Sequence, residues 1–394
     1  MENALEGLRV LDLTRALAGP YGSLLLGDLG AEIIKIEAIG SREDATGKYS
    51  YKGQDAYFMS VNRSKKSITL DVRTDKGREI FYDLVKISDV VYDNFRSGVL
   101  ERLKIDYNTL KEINPRIICC SITGYGSKGP YRLLPAYDLV IQAASGSMSI
   151  TGEEGRPPVR SGIAIADQGA GMFAVHGILA ALYKRERTGV GAKVETSLLE
   201  NMIALLAYEA GYYFISGEVP GRVGAGHRTL ALYDCFETQD DYITIAAVFK
   251  FPDLCKAINR EELIDDPRFS DDHIEEHKAD LLPILKEVFL TKTTEEWLKV
   301  LNEADIPCAP LNKLDQALND PQVLANDMVV SVDHTLGGQV KQTGNPIKIS
   351  TTPPELRKKF LSPPTLGQHN NEVLSQLLGY SQEKIEKLRE EQVI

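Results

Sequence analysis

The segment Ile163-Ala164-Ile165-Ala166-Asp167-Gln168-Gly169-Ala170-Gly171 sets one acidic side chain where an apolar run meets a helical pattern. From Gln168 to Arg187 the apolar residues Met172, Val175, Leu179 and Leu182 recur at three- and four-residue spacing, and Gly189 follows as a stop. Asp167 therefore reads as the helix N-cap, where the positive end of the helix dipole keeps a carboxylate ionised. Gly169 and Gly171 leave room for a substrate beside it, and amides of the first helical turn can face a developing oxyanion. These are the needs of a carboxylate nucleophile. Capping alone also accounts for an Asp here, because Asp is among the commonest N-caps.

Other chemistries find less to work with. The six histidines are dispersed, and Cys119, Cys120, Cys235, Cys255 and Cys308 lack CxxC or metal-ligand spacing, so they read as reduced core residues. No metal and no resident cofactor are expected. The glycines after Asp167 fail the Gly-x-Gly-x-x-Gly pattern at Ala174, which argues against a dinucleotide oxidoreductase. With 45 basic and 56 acidic residues the formal net charge is -11, which disfavours nucleic acid and anionic membrane as partners. The start Met1-Glu2-Asn3-Ala4-Leu5-Glu6-Gly7 lacks a signal-peptide pattern, and no run reaches the roughly 18 apolar residues of a membrane span. A cytoplasmic location is expected.

The elements that must position Asp167 begin with short apolar runs alternating with helical patterns: Leu8 to Leu13, Ala31 to Ile36, Ser67 to Val72, Asp89 to Tyr92 and Arg116 to Ile122. Such alternation is the signature of a parallel sheet in an α/β fold, which binds ligands beyond the carboxyl ends of its strands. The loops there, Thr14 to Tyr21, Asp93 to Gly98 and Thr123 to Pro130, carry or adjoin Arg15, Arg96, Arg102, Lys128 and Arg132. Ala192 to Thr196 reads as a further strand and Ser197 to Ser216 as one long apolar helix, buried by another part of the protein or by a second subunit. Gly217 to Gly226 crosses into a region of short helices and strands, and Asn371 to Val393 forms two amphipathic helices.

Several of these segments, taken together, resemble the class III coenzyme A transferases (CaiB/BaiF type), the family of formyl-CoA transferase and L-carnitine CoA-transferase. The resemblance rests on Gly7 to Pro20 and Leu26 to Glu37, on Asp93 to Arg102, on Ser121 to Gly126 and on Pro135 to Leu139, with the Ala166-Asp167 motif following. It implies that Asp167 is the nucleophile and that a CoA thioester is a substrate. It also implies CoA contacts from Arg15, Ala16, Leu70, Arg73, Asn94, Phe95, Arg96, Arg102 and Tyr137. Ala38-Ile39 stands where formyl-CoA transferase places an arginine near the adenine, so Arg42 is the available substitute. The family's glycine loop over the substrate corresponds to Gly221 to Arg228, with Gly224, Gly226 and His227 as its candidate residues.

The implied fold is a Rossmann-like large domain built from residues 1–200 and 326–394, a smaller inserted α/β domain at 225–325, and an interlocked homodimer. Implied partners are an acyl-CoA and a small organic acid with a second polar group that Arg15, His227 or Arg228 can meet. A racemase of the same superfamily pairs a His-Asp dyad with the helix Asp, but the matching residues here are Tyr137-Asp138, and a Tyr titrating near ~10 is a poor base. A CoA-binding protein without catalysis is the other alternative, against which the intact Asp167 counts.

Overall fold

The computed structural model describes residues 3–43, 47–270 and 272–394. Arg42 falls inside this range, whereas Met1 and Glu2 of the acidic start lie outside the described residues. The chain divides into two compact units, one of Met1–Ser147, Ser161–Ile215 and Pro321–Ile394, the other of Met148–Arg160 and Ser216–Asp320. The second unit thus draws on Met148–Arg160, a contribution no sequence signal marks.

The first unit is built on a six-stranded parallel sheet: β1 (Arg9–Asp12), β2 (Glu32–Glu37), β3 (Lys65–Thr69), β4 (Val90–Asp93), β5 (Ile118–Thr123) and β6 (Ala192–Ser197). Their spatial order is β3-β2-β1-β4-β5-β6, the order of a Rossmann-like α/β fold. Adjacent apolar residues along a strand point to opposite faces, and both faces are buried. Leu11, Ile34, Val91 and Cys119 enter one core, which Phe81, Val373, Leu374, Ile385 and Leu388 complete. Val10, Ile33, Val90, Ile118 and Cys120 enter the other, with Ala166, Ala170, Ala174 and Ile178. This two-sided burial is why β1, β2, β4 and β5 read as nearly continuous apolar runs, whereas the edge strand β6 alternates half-buried and exposed residues.

On the second face lie α1 (Ala18–Asp28) and the long α2 (Ile165–Thr188), which ends at Gly189 in the left-handed region. The two helices approach closely because glycines face each other: a Cβ on Gly171 would stand 2.5 Å from the Ala18 carbonyl, and one on Gly22 3.0 Å from the Gly171 carbonyl. Contrary to the expectation from the sequence, α2 is long and apolar enough to cross a membrane, with mean hydropathy 1.3 over 18 residues. The core just described takes up 44% of that stretch, while Met172 and Phe173 stand exposed.

The expected single helix over Ser197 to Ser216 is two: α3 (Leu198–Leu205), capped by the Ser197 side chain, and α4 (Ala207–Ser216). The break coincides with a positive φ at Ala207. The expected burial is only partial within the chain: Leu198 and Met202 are buried, whereas Ile203, Phe214 and Ile215 are 50%, 79% and 91% exposed.

C-terminal segments return to the first sheet. Asn370 Oδ1 accepts from the Thr69 amide at 2.8 Å, the Asp71 amide donates to the Val393 carbonyl at 2.9 Å, and buried Arg63 pairs with Asp28 and donates to Gln342. The second unit carries an antiparallel sheet of β7 (Tyr233–Glu237), β8 (Tyr242–Ala246) and β9 (Cys308–Pro310). Its core centres on Phe236, Phe289 and Trp297, whose indole N–H donates to the Phe289 carbonyl.

Candidate active site

The strand order reverses between β1 and β4, so the loops leaving these two strands diverge and open a crevice at the carboxyl edge of the sheet. The β1 loop starts from a buried anchor. Asp12 accepts from Ser23 Oγ at 2.6 Å, Lys65 Nζ at 3.2 Å and the Thr14 amide at 2.9 Å. Burial alone would raise the Asp12 carboxyl, but Lys65 and Lys35 hold it below its usual range, while burial pushes Lys65 down to about 8.

One residue then joins the two loops. Asn94 accepts from the Arg15 amide at 2.9 Å and donates to the Arg15 carbonyl at 2.8 Å. With that backbone held, the Arg15 guanidinium lies 5.7 Å from the centre of the Phe95 ring, and Ala16 takes a left-handed φ of 60°. The crevice holds about 240 Å³ and is lined by Arg15, Ala16, Asn94, Phe95, Arg96, Tyr137 and Asp167, among others. Seven residues singled out from the sequence therefore meet in one place.

Asp167 does not cap its helix. Helix α2 begins at Ile165, three residues earlier than expected, and its N-cap Ala164 has no side chain able to accept. The cap comes from Asp138, the first residue of the helix Asp138–Ala144: its Oδ1 accepts from the Ala166 amide at 2.9 Å and the Asp167 amide at 3.4 Å. The remaining amides of the first turn are also used, Ile165 on the Ile163 carbonyl and Gln168 on that of Ala164. They are not free for an oxyanion, which corrects that expectation.

The glycines have a different use as well. A Cβ at Gly169 would lie 2.5 Å from Asn201 Oδ1, and Gly171 faces Ala18, so both serve close packing and neither opens a path to the carboxylate. Asn201 in turn donates to the Ala166 carbonyl at 3.1 Å.

Asp138 is itself held by Gln142, whose Nε2 donates to its second oxygen at 2.7 Å while the Gln142 Oε1 accepts from the Ser161 amide at 2.8 Å. Gln142 is fully buried. Burial and then the Asp138 charge push the Asp167 carboxyl up to about 6, so it ionises just below neutral pH. The same surroundings act on Tyr57, which burial and then the Asp167 charge push up to about 12.

Asp138 and Tyr57 were not read as site residues from the sequence. Asp138 is an ordinary helix-starting Asp in sequence, and nothing local tells which helix it serves. The signals that could have found it are its place in the Pro135 to Leu139 resemblance, where Tyr137-Asp138 matches the racemase dyad, and the Asp138-x-x-x-Gln142 spacing.

The other expected contacts lie elsewhere. Leu70 is 3% exposed within the sheet core. Arg73 is exposed and forms a two-pronged pair with Asp71 at 2.8 and 2.9 Å. Arg102 is exposed on the short helix Val99–Leu103, and Arg42 is also outside the crevice lining. Gly224, Gly226 and His227 belong to the second unit. There the Gly224 amide donates to the Gly152 carbonyl at 3.0 Å, Gly224 has φ 67°, and Lys278 donates to the His227 carbonyl at 3.0 Å. Cys119, Cys120 and Cys255 are buried, whereas Cys235 and Cys308 are only half-buried.

Comparison with known proteins decides what this crevice belongs to. Residues 5–370 match the profile of CoA-transferase family III. The chain belongs to that family. It is 38% identical over 389 residues to succinyl-CoA:glutarate CoA-transferase of Mus musculus, covering 98% of this chain and 88% of that protein. Acetyl-CoA:oxalate CoA-transferase of Acetobacter aceti is 40% identical over 350 residues, covering 88% and 89%. Among solved structures, a CaiB/BaiF family protein from Brucella suis superposes with a TM-score of 0.84 at 36% identity, covering 96% of this chain and 100% of that one. As a family III CoA-transferase the protein is an enzyme that moves coenzyme A between an acyl-CoA and a carboxylic acid.

Proposed function

We propose that transfer proceeds through covalent intermediates on Asp167, with a dicarboxylic acid as the acceptor. The observation that carries this is a carboxylate ionised near neutral pH, without an ion-pair partner among the described residues, lining the crevice at the strand-order reversal. A carboxylate so placed is free to act as a nucleophile.

Its attack on the donor thioester forms a mixed anhydride and breaks the C–S bond, and CoA leaves as thiolate with the electron pair. The thiolate attacks the Asp167 carbonyl, giving an aspartyl thioester and releasing the donor acid. The acceptor carboxylate then displaces CoA from this thioester to form a second anhydride. Thiolate attack on the acceptor carbonyl yields the new acyl-CoA and returns Asp167 as carboxylate. No proton is gained or lost in the sequence.

The acids named for the two relatives, glutarate and oxalate, are both dicarboxylic, which supports that acceptor class. Asn94, Phe95 and Arg102 are assigned to the phosphates and pantetheine of CoA, Arg96 and Tyr137 to its thioester end and Arg73 to its nucleotide end, with Gly224, Gly226 and His227 as the substrate loop, whereas the Leu70 side chain is taken up by the sheet core. These contacts, the large and inserted domains and the interlocked homodimer rest on the resemblance, and the cytoplasmic location on the sequence patterns given above. The exposed apolar side chains of α3 and α4 give the homodimer a surface to bury.

Hydroxylamine trapping tests the route. The protein is mixed with a panel of acyl-CoAs, quenched, and mapped by peptide mass spectrometry. A hydroxamate on Asp167 with the productive donors is expected. Turnover without any modification of Asp167, or turnover retained by Asp167→Ala, overturns the covalent route.

A further inference from the structure

Arg15 leaves the buried end of β1 with its backbone fixed by Asn94 on both sides, yet its side chain is exposed and has no carboxylate partner among the described residues. Phe95 sets its direction, with the guanidinium 5.7 Å from the ring centre. It shares a crevice of about 240 Å³ with Asp167. Asp167 makes no ion pair there, so the Arg15 charge is not spent on it. Much of the remaining lining is apolar, including Leu17, Ile122, Leu134 and Leu198.

A fixed but unneutralised guanidinium, an apolar wall and a reacting carboxylate together match an acid with a methylene middle and two anionic ends. Guanidinium binds carboxylate through two parallel N–H donors, which gives both attraction and direction. Arg96 is the other cation at the crevice, but it also borders a neighbouring cleft of about 350 Å³ that contains Asp93, Glu101, Asp106 and Glu195. Arg15 borders the Asp167 crevice alone.

We propose that Arg15 receives the far carboxylate of a dicarboxylic acid whose near carboxylate exchanges at Asp167, and thereby selects dicarboxylates over monocarboxylates of equal length. This rests on the dicarboxylic acceptor proposed above and, of the two roles the sequence left open for Arg15, takes the acid site over the CoA contacts.

Self-exchange tests it without needing the natural acid pair. Glutaryl-CoA is incubated with labelled glutarate, and pentanoyl-CoA with labelled pentanoate, using wild type, Arg15→Gln, Arg15→Lys and Arg96→Gln. The measured quantity is the glutarate-to-pentanoate ratio of kcat/KM, in which any shared effect on CoA binding cancels. Wild type is expected to favour glutarate. Arg15→Gln is expected to cut the ratio about 10- to 100-fold, the size of one lost charge-assisted contact, and Arg15→Lys to retain part of it. An unchanged ratio in an active Arg15→Gln enzyme, or a ratio that moves with Arg96→Gln instead, overturns the assignment to Arg15. No exchange of either acid by wild type overturns the dicarboxylic acceptor proposed above, and the inference with it.

Discussion

Replacing Asp138 separates its two actions on Asp167, because its carboxylate both caps α2 and places a negative charge beside the nucleophile. An Asp ordinarily titrates at 3.8, and Asp167 is raised to about 6. That difference is roughly 3 kcal/mol of unfavourable free energy carried by ionised Asp167 in the fold at neutral pH. The sign follows from proton binding: between the two values the folded state holds more protons than the unfolded one, so this contribution erodes stability as pH rises from 4 to 6. Above 6 it is constant.

Asp138→Asn keeps an oxygen to accept from the Ala166 and Asp167 amides and removes the charge. Its new NH₂ group faces the Gln142 NH₂, so that bond, about 1 kcal/mol, is lost while repulsion is relieved. Net stability is expected to stay within about 1 kcal/mol of wild type. Asp138→Ala loses the cap, worth about 0.5–2 kcal/mol, and strands the buried Gln142 amide for about 1–3 kcal/mol more.

The assays are denaturant unfolding and the pH profile of kcat/KM, which reports groups of the free enzyme. In wild type, kcat/KM is expected to rise through pH 6 as Asp167 ionises, and in Asp138→Asn this acid limb should move to lower pH. If the limb stays where it was, and Asp138→Ala unfolds at the wild-type denaturant concentration, the role given to Asp138 is wrong.

Three further outcomes are expected. Gly171→Ala drives a Cβ to 2.5 Å from the Ala18 carbonyl and should lower stability by about 1–3 kcal/mol in thermal melts, with a fall in kcat as α2 shifts. Lys65→Met leaves Asp12 charged and buried without its ammonium partner, so a loss of about 3–5 kcal/mol is expected on chemical unfolding. Asn94→Ala removes both bonds that join the β1 and β4 loops, and should raise KM for the acyl-CoA while leaving the unfolding midpoint nearly unchanged, because the site is exposed.

The sheet was legible because burial on both faces leaves no polar alternation: Val10-Leu11, Ile33-Ile34 and Val90-Val91 each supply one residue to either core. The loops beyond the strands were legible for the same reason, since they follow where the apolar runs stop. The start of α2 was misplaced because Asp167 has the chemistry of a cap, whereas the true cap arrives from Asp138, 29 residues earlier in the chain. Gly169 and Gly171 were misread in a related way. A missing side chain serves ligand access or helix packing equally well, and only the positions of Asn201 and Ala18 distinguish the two. The break before Ala207 lies in a run of good helix formers, so no local signal marked it.

The most direct measurement follows oxygen from the acceptor acid. A productive acyl-CoA donor is mixed with glutarate labelled with oxygen-18 in both carboxylates, and the peptide containing Asp167 is isolated after turnover and weighed. If the acceptor forms an anhydride with Asp167, thiolate attack on the acceptor carbonyl leaves one labelled oxygen behind in the Asp167 carboxylate. Label confined to Asp167 is the expected result. Full turnover with unlabelled Asp167 would contradict covalent transfer through this residue.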